Sequence, residues 1–268
     1  MNNYDKQNIA TMELLYGEGY LSAGGDDEVV TTFDGHDTSG SVVLDLGCGL
    51  GGASIAIARY LPVEKVCGVD VDQSLLYRAT ELIDKHNLND RIELTCTSGE
   101  SLPFEDGIFD YVYVTAVSCH IEKLVPFFTE IHRVLKPGGH ALGREWFKLN
   151  DSDAFQDWDN LLREKGLNFF FVTVENYLTR LEAAGFHSVT FRDRTSSISA
   201  LSDSAVTEVA GELRTSLIEL LGQDGYEACK DWTEVRARAF SGGGIGQSIF
   251  NAKKKVDEVT GLTGEGVC

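Results

Sequence analysis

The residues able to do chemistry begin with Asp45 and the glycines Gly47, Gly49, Gly51 and Gly52, inside the stretch Val42–Ala58, VVLDLGCGLGGASIAIA. Asp70 stands about twenty residues further on, His120 lies in TAVSCHIEK, and Arg144 in ALGREWF. An apolar run, a carboxylate, glycines at alternate positions and an Ala/Ile-rich helical stretch read as a strand, a tight turn and a helix start. There a ligand can touch backbone, because glycine admits positive φ and the first helical N–H groups are unpaired. A dinucleotide fingerprint has the spacing G-x-G-x-x-G and seats pyrophosphate on the helix end. Here the order is Asp45-x-Gly47-x-Gly49-x-Gly51. An acid so close to the turn repels pyrophosphate and welcomes an ammonium group. Asp70, ending the next apolar run, is placed to accept both hydroxyl protons of a ribose, and Val71 to pack beside its base. His120 stands where a base facing a substrate would stand, although a lone histidine serves equally as a packed or capping residue.

The elements that position these residues alternate. Strands are expected at 42–46, 65–70, 91–96, 108–115 and about 139–144, with helices at roughly 51–61, 73–87 and 122–135. LKPGG at 135–139 should stop the last of these helices. Apolar strands alternating with helices imply a parallel sheet covered on both faces, with ligands at the carboxyl ends of the strands. Beyond Arg144 the pattern becomes two helices within 150–182, a strand at 187–193, a long helical region at 200–238 and a last strand near 246–251. The expected fold is a doubly wound, mostly parallel seven-stranded α/β sheet. Its organisation reads as an N-terminal helical lid at 1–40, a main domain at 41–252 with a helical insertion at about 150–182, and a flexible tail at 253–268.

The composition narrows the function. The 268 residues are 43% hydrophobic and 10% aromatic, enough for a large core. A formal charge of −19 disfavours a partner held by phosphate neutralisation, so no nucleic acid is expected. The six cysteines show no C-x-x-C pair or zinc spacing, no apolar run reaches eighteen residues, and no leader is evident. These features favour a cytoplasmic protein without a bound metal, and a monomer is expected.

The glycine turn with its acid resembles the first motif of class I S-adenosylmethionine-dependent methyltransferases. LPFEDGIFD, Leu102–Asp110, is similar to a segment common in that family. The resemblance implies S-adenosylmethionine as cofactor, with Asp45, Gly47, Gly49 and Gly51 at its methionine portion, Asp70 and Val71 at its ribose and adenine, and Thr115 beside them. Where the family places an Asp for the adenine amino group this chain has Ser98, so Gly99 and Glu100 join Ser98 as candidates.

YDKQNIATMELLYGEGYLSAGG, with TVENYLTRLEAAGF, Trp232 and GQSIFNAKK, resembles phosphoethanolamine N-methyltransferases and the related sarcosine/dimethylglycine methyltransferases. By position, Tyr4 and His120 match that family's site-closing tyrosine–histidine pair, and Ser22 matches a lid residue at the cofactor. Ala116 stands where the family holds the substrate ammonium with an Asp. Leu167 and Phe169 stand at its phosphate-binding Arg and Tyr, and phosphate in so apolar a site is costly. Arg144, with Trp146 nearby, offers a bidentate clamp for a carboxylate, or else a surface partner for Glu145 or Asp151. These features point to methylation of a small carboxylate, with a thioether sulfur of the methylthio-hydroxybutyrate kind favoured and an amine of the glycine or phosphoethanolamine kind as the alternative. A catalytically silent cofactor-binding protein is the reading from another class.

Overall fold

A computed structural model describes residues 6–97 and 101–256. Chain order runs α1 (Lys6–Tyr16), α2 (Gly25–Thr32), β1 (Val42–Leu46), α3 (Gly52–Tyr60), β2 (Lys65–Asp70), α4 (Gln73–Lys85), β3 (Ile92–Cys96) and β4 (Phe109–Val114). It continues with α5 (Leu124–Val134), β5 (Leu135–Lys148), α6 (Asp153–Glu164), α7 (Val174–Ala183), β6 (Phe186–Asp193), α8 (Thr195–Ala210), α9 (Arg214–Ser241) and β7 (Ile245–Lys254).

The seven strands form one sheet in the order β3-β2-β1-β4-β5-β7-β6. The chain winds outward from β1 to β3, then returns to lay β4 on the other side of β1, all in parallel. That reversal opens a crevice at the carboxyl ends of β1 and β4, where ligands bind in such sheets. β7 alone runs against its neighbours, pairing antiparallel with both β5 and β6.

Alternation along the strands divides the core between the two faces. Val43, Val66, Tyr111 and Tyr113 pack with Val29 of α2, Phe33 just beyond it, and Ile55 and Ile57 of α3. Leu44, Val112, Val114 and Ala141 face Phe128 and Ile131 of α5 and Leu181 of α7. A third cluster joins Phe155, Trp158 and Leu162 of α6 to Phe240 of α9 and Ile245 of β7.

Two elements differ from expectation. β5 is longer than 139–144, because antiparallel pairing with β7 continues from His140↔Lys253 to Lys148↔Ile245. A second N-terminal helix, α2, follows the glycines, and its first turn carries Asp26, Asp27 and Glu28, the charges that a helix start favours. The stretch 150–182 carries α6 and most of α7. The tail expected from 253 begins within β7, and its residues 257–268 lie outside the described residues.

Candidate active site

The glycine turn joins β1 to α3 and is shaped by close contacts. Gly47 has φ 78°, and a Cβ there would come within 2.4 Å of Val117 Cγ2. Gly52, the first residue of α3, meets the N-terminal segment, with its N–H donating to Gly19 O at 3.1 Å. A Cβ on Gly52 would stand 2.5 Å from that same oxygen, so only glycine allows this approach. Tyr20 fastens the contact through its hydroxyl, which donates to Asp26 Oδ1 at 2.5 Å and lies 3.2 Å from Gly52 O.

Asp45 is 2% exposed and lies at the end of β1. Ser54 Oγ of α3 donates to its Oδ2 at 2.5 Å. Burial pushes the Asp45 carboxyl up to about 7, against the opposing pull of the Ser54 hydrogen bond. Asp70 is held differently. Its Oδ2 accepts from Gly49 N at 2.8 Å and its Oδ1 from Asp72 N at 2.9 Å. Each oxygen keeps a second lone-pair direction for a ligand hydroxyl.

His120 ends a 3₁₀ turn, Ser118–His120, beyond β4. Phe169 meets its ring edge-on with centroids 4.5 Å apart, and Phe170 N donates to Cys119 O at 2.7 Å. The loop after α6 is thereby tied to the histidine. Burial lowers the His120 pKa, while Asp70 raises it. The turn itself rests on β5. Ala116, at φ 55°, donates its N–H to Arg144 O at 3.1 Å. The fully buried Glu145 accepts from Val117 N at 3.3 Å and Ser118 N at 3.2 Å. Burial pushes the Glu145 carboxyl up to about 7.

Asp45, Asp70 and His120 open onto one cavity of about 1100 Å³. It brings together Ser22, Asp45, Gly47, Gly49, Asp70, Val71, Thr115, Ala116, His120, Arg144, Trp146, Leu167 and Phe169. Gly51 is not among its lining residues. Its φ of 83° shapes the turn, and Ala79 of α4 stands 3.1 Å from where its Cβ would be. Tyr4, Ser98, Gly99 and Glu100 lie outside the described residues.

Arg144 corrects one expectation. It is not paired at the surface with Glu145 or Asp151, because it is 2% exposed and alternates with Glu145 to the opposite face of β5. Its Nη1 donates to Ala23 O at 3.2 Å and lies 3.9 Å from Glu28, while Asp151 pairs with Lys148. The sequence reading also missed Ser54, Tyr20, Glu28, Glu145 and Arg236. Of these, only Arg236 carried a local signal, since it stands one helical turn beyond Trp232 on the same face.

Residues 44–143 match the family model described as "Methyltransferase domain". The chain is 26% identical over 241 residues to phosphoethanolamine N-methyltransferase 1 of Triticum aestivum, covering 89% of this chain and 47% of the relative. It is 31% identical over 137 residues to a sterol 24-C-methyltransferase of Saccharomyces cerevisiae, covering 51% of this chain and 36% of the relative. The chain thus spans about half the length, or less, of these curated relatives. Among solved structures, phosphoethanolamine N-methyltransferase 2 of Haemonchus contortus, in complex with phosphomonomethylethanolamine and S-adenosylhomocysteine, superposes with a TM-score of 0.84 at 22% identity. That match covers 95% of this chain and 58% of the other. A Galdieria sulphuraria protein described as a sarcosine dimethylglycine methyltransferase superposes at 0.73 with 19% identity, covering 86% of this chain and 84% of the other. At such identities the superpositions speak for the fold alone.

Proposed function

We propose that this chain, which carries a methyltransferase domain in the class I methyltransferase fold, transfers a methyl group from S-adenosylmethionine to a small acceptor. The observation that carries this reading is the single cavity shared by Asp45, the glycine turn, Asp70 and His120. At about 1100 Å³ it exceeds the roughly 300–1,000 Å³ of a site for one drug-sized ligand, so it has room for a cofactor and an acceptor together.

The cofactor's residues follow from the polar groups at the strand ends. Ionised Asp45 would hold the ammonium of the methionine portion, and Asp70 the ribose hydroxyls. Ser22 and Thr115 stand beside them, and Val71 is exposed where adenine would lie. When bound, the cofactor supplies an electrophilic methyl on a sulfonium. The chain's own residues orient the acceptor and exclude water, the main resources for an in-line transfer.

The acceptor end is walled by Trp146, Trp158, Trp232 and Phe169. Aromatic faces attract onium cations, which form when a neutral sulfur or amine nitrogen takes a methyl. Among the described residues the acids lining the cavity are Asp45, Asp70, Asp72 and Glu130, and Ala116 beside His120 offers no carboxylate for an ammonium. This favours a thioether sulfur, which needs no deprotonation, over a charged amine. The second reading is N-methylation, which the lowered pKa of His120 supports by keeping its imidazole free to take an ammonium proton. Screening thioether acids, glycine derivatives and phosphoethanolamine with labelled cofactor separates the two. Turnover of thioether acids alone supports S-methylation, and turnover of amines alone overturns it.

A further inference from the structure

The far wall of the cavity is one stripe of α9. Gly225, Ala228, Cys229, Trp232 and Arg236 line it at the spacing that puts successive residues on one helical face. Arg236 stands at the end of that stripe and is 4% exposed. Its Nη1 donates to the Tyr16 hydroxyl of α1, and the guanidinium lies 5.3 Å from the centre of that ring. Nε and Nη2 are buried with no hydrogen-bond partner. Among the described residues no carboxylate forms an ion pair with it, whereas the other buried cavity arginine, Arg144, has Glu28 at 3.9 Å.

A buried guanidinium with its Nε–H and both Nη2–H groups unmet is costly unless an anion arrives from outside the chain. The unmet pair, Nε–H and Nη2–H, is one edge of the planar guanidinium, two parallel donors that fit a two-oxygen planar anion. One cation neutralises one carboxylate but only half of a phosphate dianion. The lysines of the lining, Lys123 and Lys165, are exposed.

We propose that Arg236, steadied by Tyr16, is the anchor for the carboxylate of the methyl acceptor, with the nucleophilic atom reaching from there toward His120. This rests on the methyltransferase reading and names the class of its substrate as a small carboxylic acid. Tyr16 holds Nη1 and leaves Nε and Nη2 for the acid to meet, while Arg236 and Trp232, one turn earlier on α9, both line the cavity. The alternative role for Arg236 is a latch between α1 and α9, indifferent to what the cavity holds.

All three tryptophans of the chain line the cavity, so their fluorescence reports on its occupancy without requiring turnover. The protein loaded with S-adenosylhomocysteine is titrated with 4-(methylthio)butanoate, N,N-dimethylglycine, the amide of each, and phosphoethanolamine. At least one acid should bind about tenfold or more tighter than its amide, the scale of a charge-assisted bidentate contact. In Arg236→Met that preference should collapse to about twofold or less, and Arg236→Lys should restore part of it. Calorimetry with S-adenosylhomocysteine should give the same affinity in all three proteins. Equal binding of acid and amide by the unaltered protein, or an acid preference that survives in Arg236→Met, overturns the proposal. So does a preference for phosphoethanolamine over both acids. Loss of S-adenosylhomocysteine affinity in Arg236→Met alone would move the anion to the cofactor's own carboxylate, also overturning it. No S-adenosylhomocysteine binding by any of the three proteins would refute the methyltransferase reading instead.

Discussion

Gly49 donates its backbone N–H to Asp70 Oδ2 at 2.8 Å, so the glycine turn after β1 and the carboxylate ending β2 form one unit. In the proposed binding mode Asp70 also holds the ribose, so removing its carboxylate would lose that contact and free the turn. Asp70→Ala should weaken S-adenosylhomocysteine binding by about 1.5–3 kcal/mol, the range for hydrogen bonds to a charged group. Asp70→Asn, which keeps an acceptor oxygen, should lose less. Equal affinity in Asp70→Ala and the unaltered protein would remove Asp70 from the ribose site.

The carboxyl of Asp45 gives the site a pH dependence. Its pKa is raised by burial to about 7, above the ordinary carboxylate range. The folded chain therefore holds a proton there that the unfolded chain has lost. This contribution to stability is complete below about pH 4 and is lost as pH rises toward about 7. Cofactor binding should run the other way in the proposed mode, where only an ionised Asp45 would pair with the ammonium. Affinity for S-adenosylhomocysteine should fall from pH 8 to pH 6, with about half a proton released per site near pH 7. Calorimetry in buffers of different ionisation enthalpy measures that release. Asp45→Asn should abolish it, and release unchanged in Asp45→Asn would assign it to another group.

Glu145 supports the His120 turn from beneath by accepting the Val117 and Ser118 N–H groups. Glu145→Ala would leave the buried Ser118 N–H and the half-buried Val117 N–H unmet, at a cost of about 1–3 kcal/mol for the buried one and less for the other. Glu145→Gln, which can still accept, should retain more of the thermal stability. Similar melting temperatures for Glu145→Ala and the unaltered protein would show that the turn stands without it.

The sheet was the most legible part of the chain, because its apolar runs and their glycine, proline and acidic boundaries are local signals. Val42–Leu46 and Lys65–Asp70 fall where the pattern places them. Less legible were features set by contacts distant in sequence. Nothing near Arg144 indicates that Glu28 and Ala23 will meet it, nor does anything near Asp45 single out Ser54. The adjacency of Arg144 and Glu145 misled, although strand alternation argues against a pair between neighbours. α2 was obscured by the glycines that begin it. Arg236 carries one local signal, its place a helical turn beyond Trp232, and the cavity shows what that place means.

The N-terminal segment closes on the glycine turn through Gly19 and Tyr20. Ligand at that turn should hold it there. Limited proteolysis should cut near 17–25 in the ligand-free protein and slow several-fold with S-adenosylhomocysteine, as lid ordering excludes water from transfer chemistry. Equal cutting in both states would make the segment a fixed part of the wall.

His120 distinguishes the two acceptor chemistries. With an amine acceptor, His120→Ala should lower turnover by about 10²-fold or more, the scale of a lost general base. With a thioether the loss should be smaller, and the pH profile should not follow amine ionisation. A full-scale loss with a thioether acid as the acceptor would contradict this distinction.

Calorimetry with S-adenosylhomocysteine and NAD decides which cofactor the glycine turn accepts. Asp45 two residues before Gly47, with Asp70 held by Gly49, predicts one S-adenosylhomocysteine bound per chain and no measurable heat from NAD at the same concentrations. Binding of NAD with none of S-adenosylhomocysteine would contradict it.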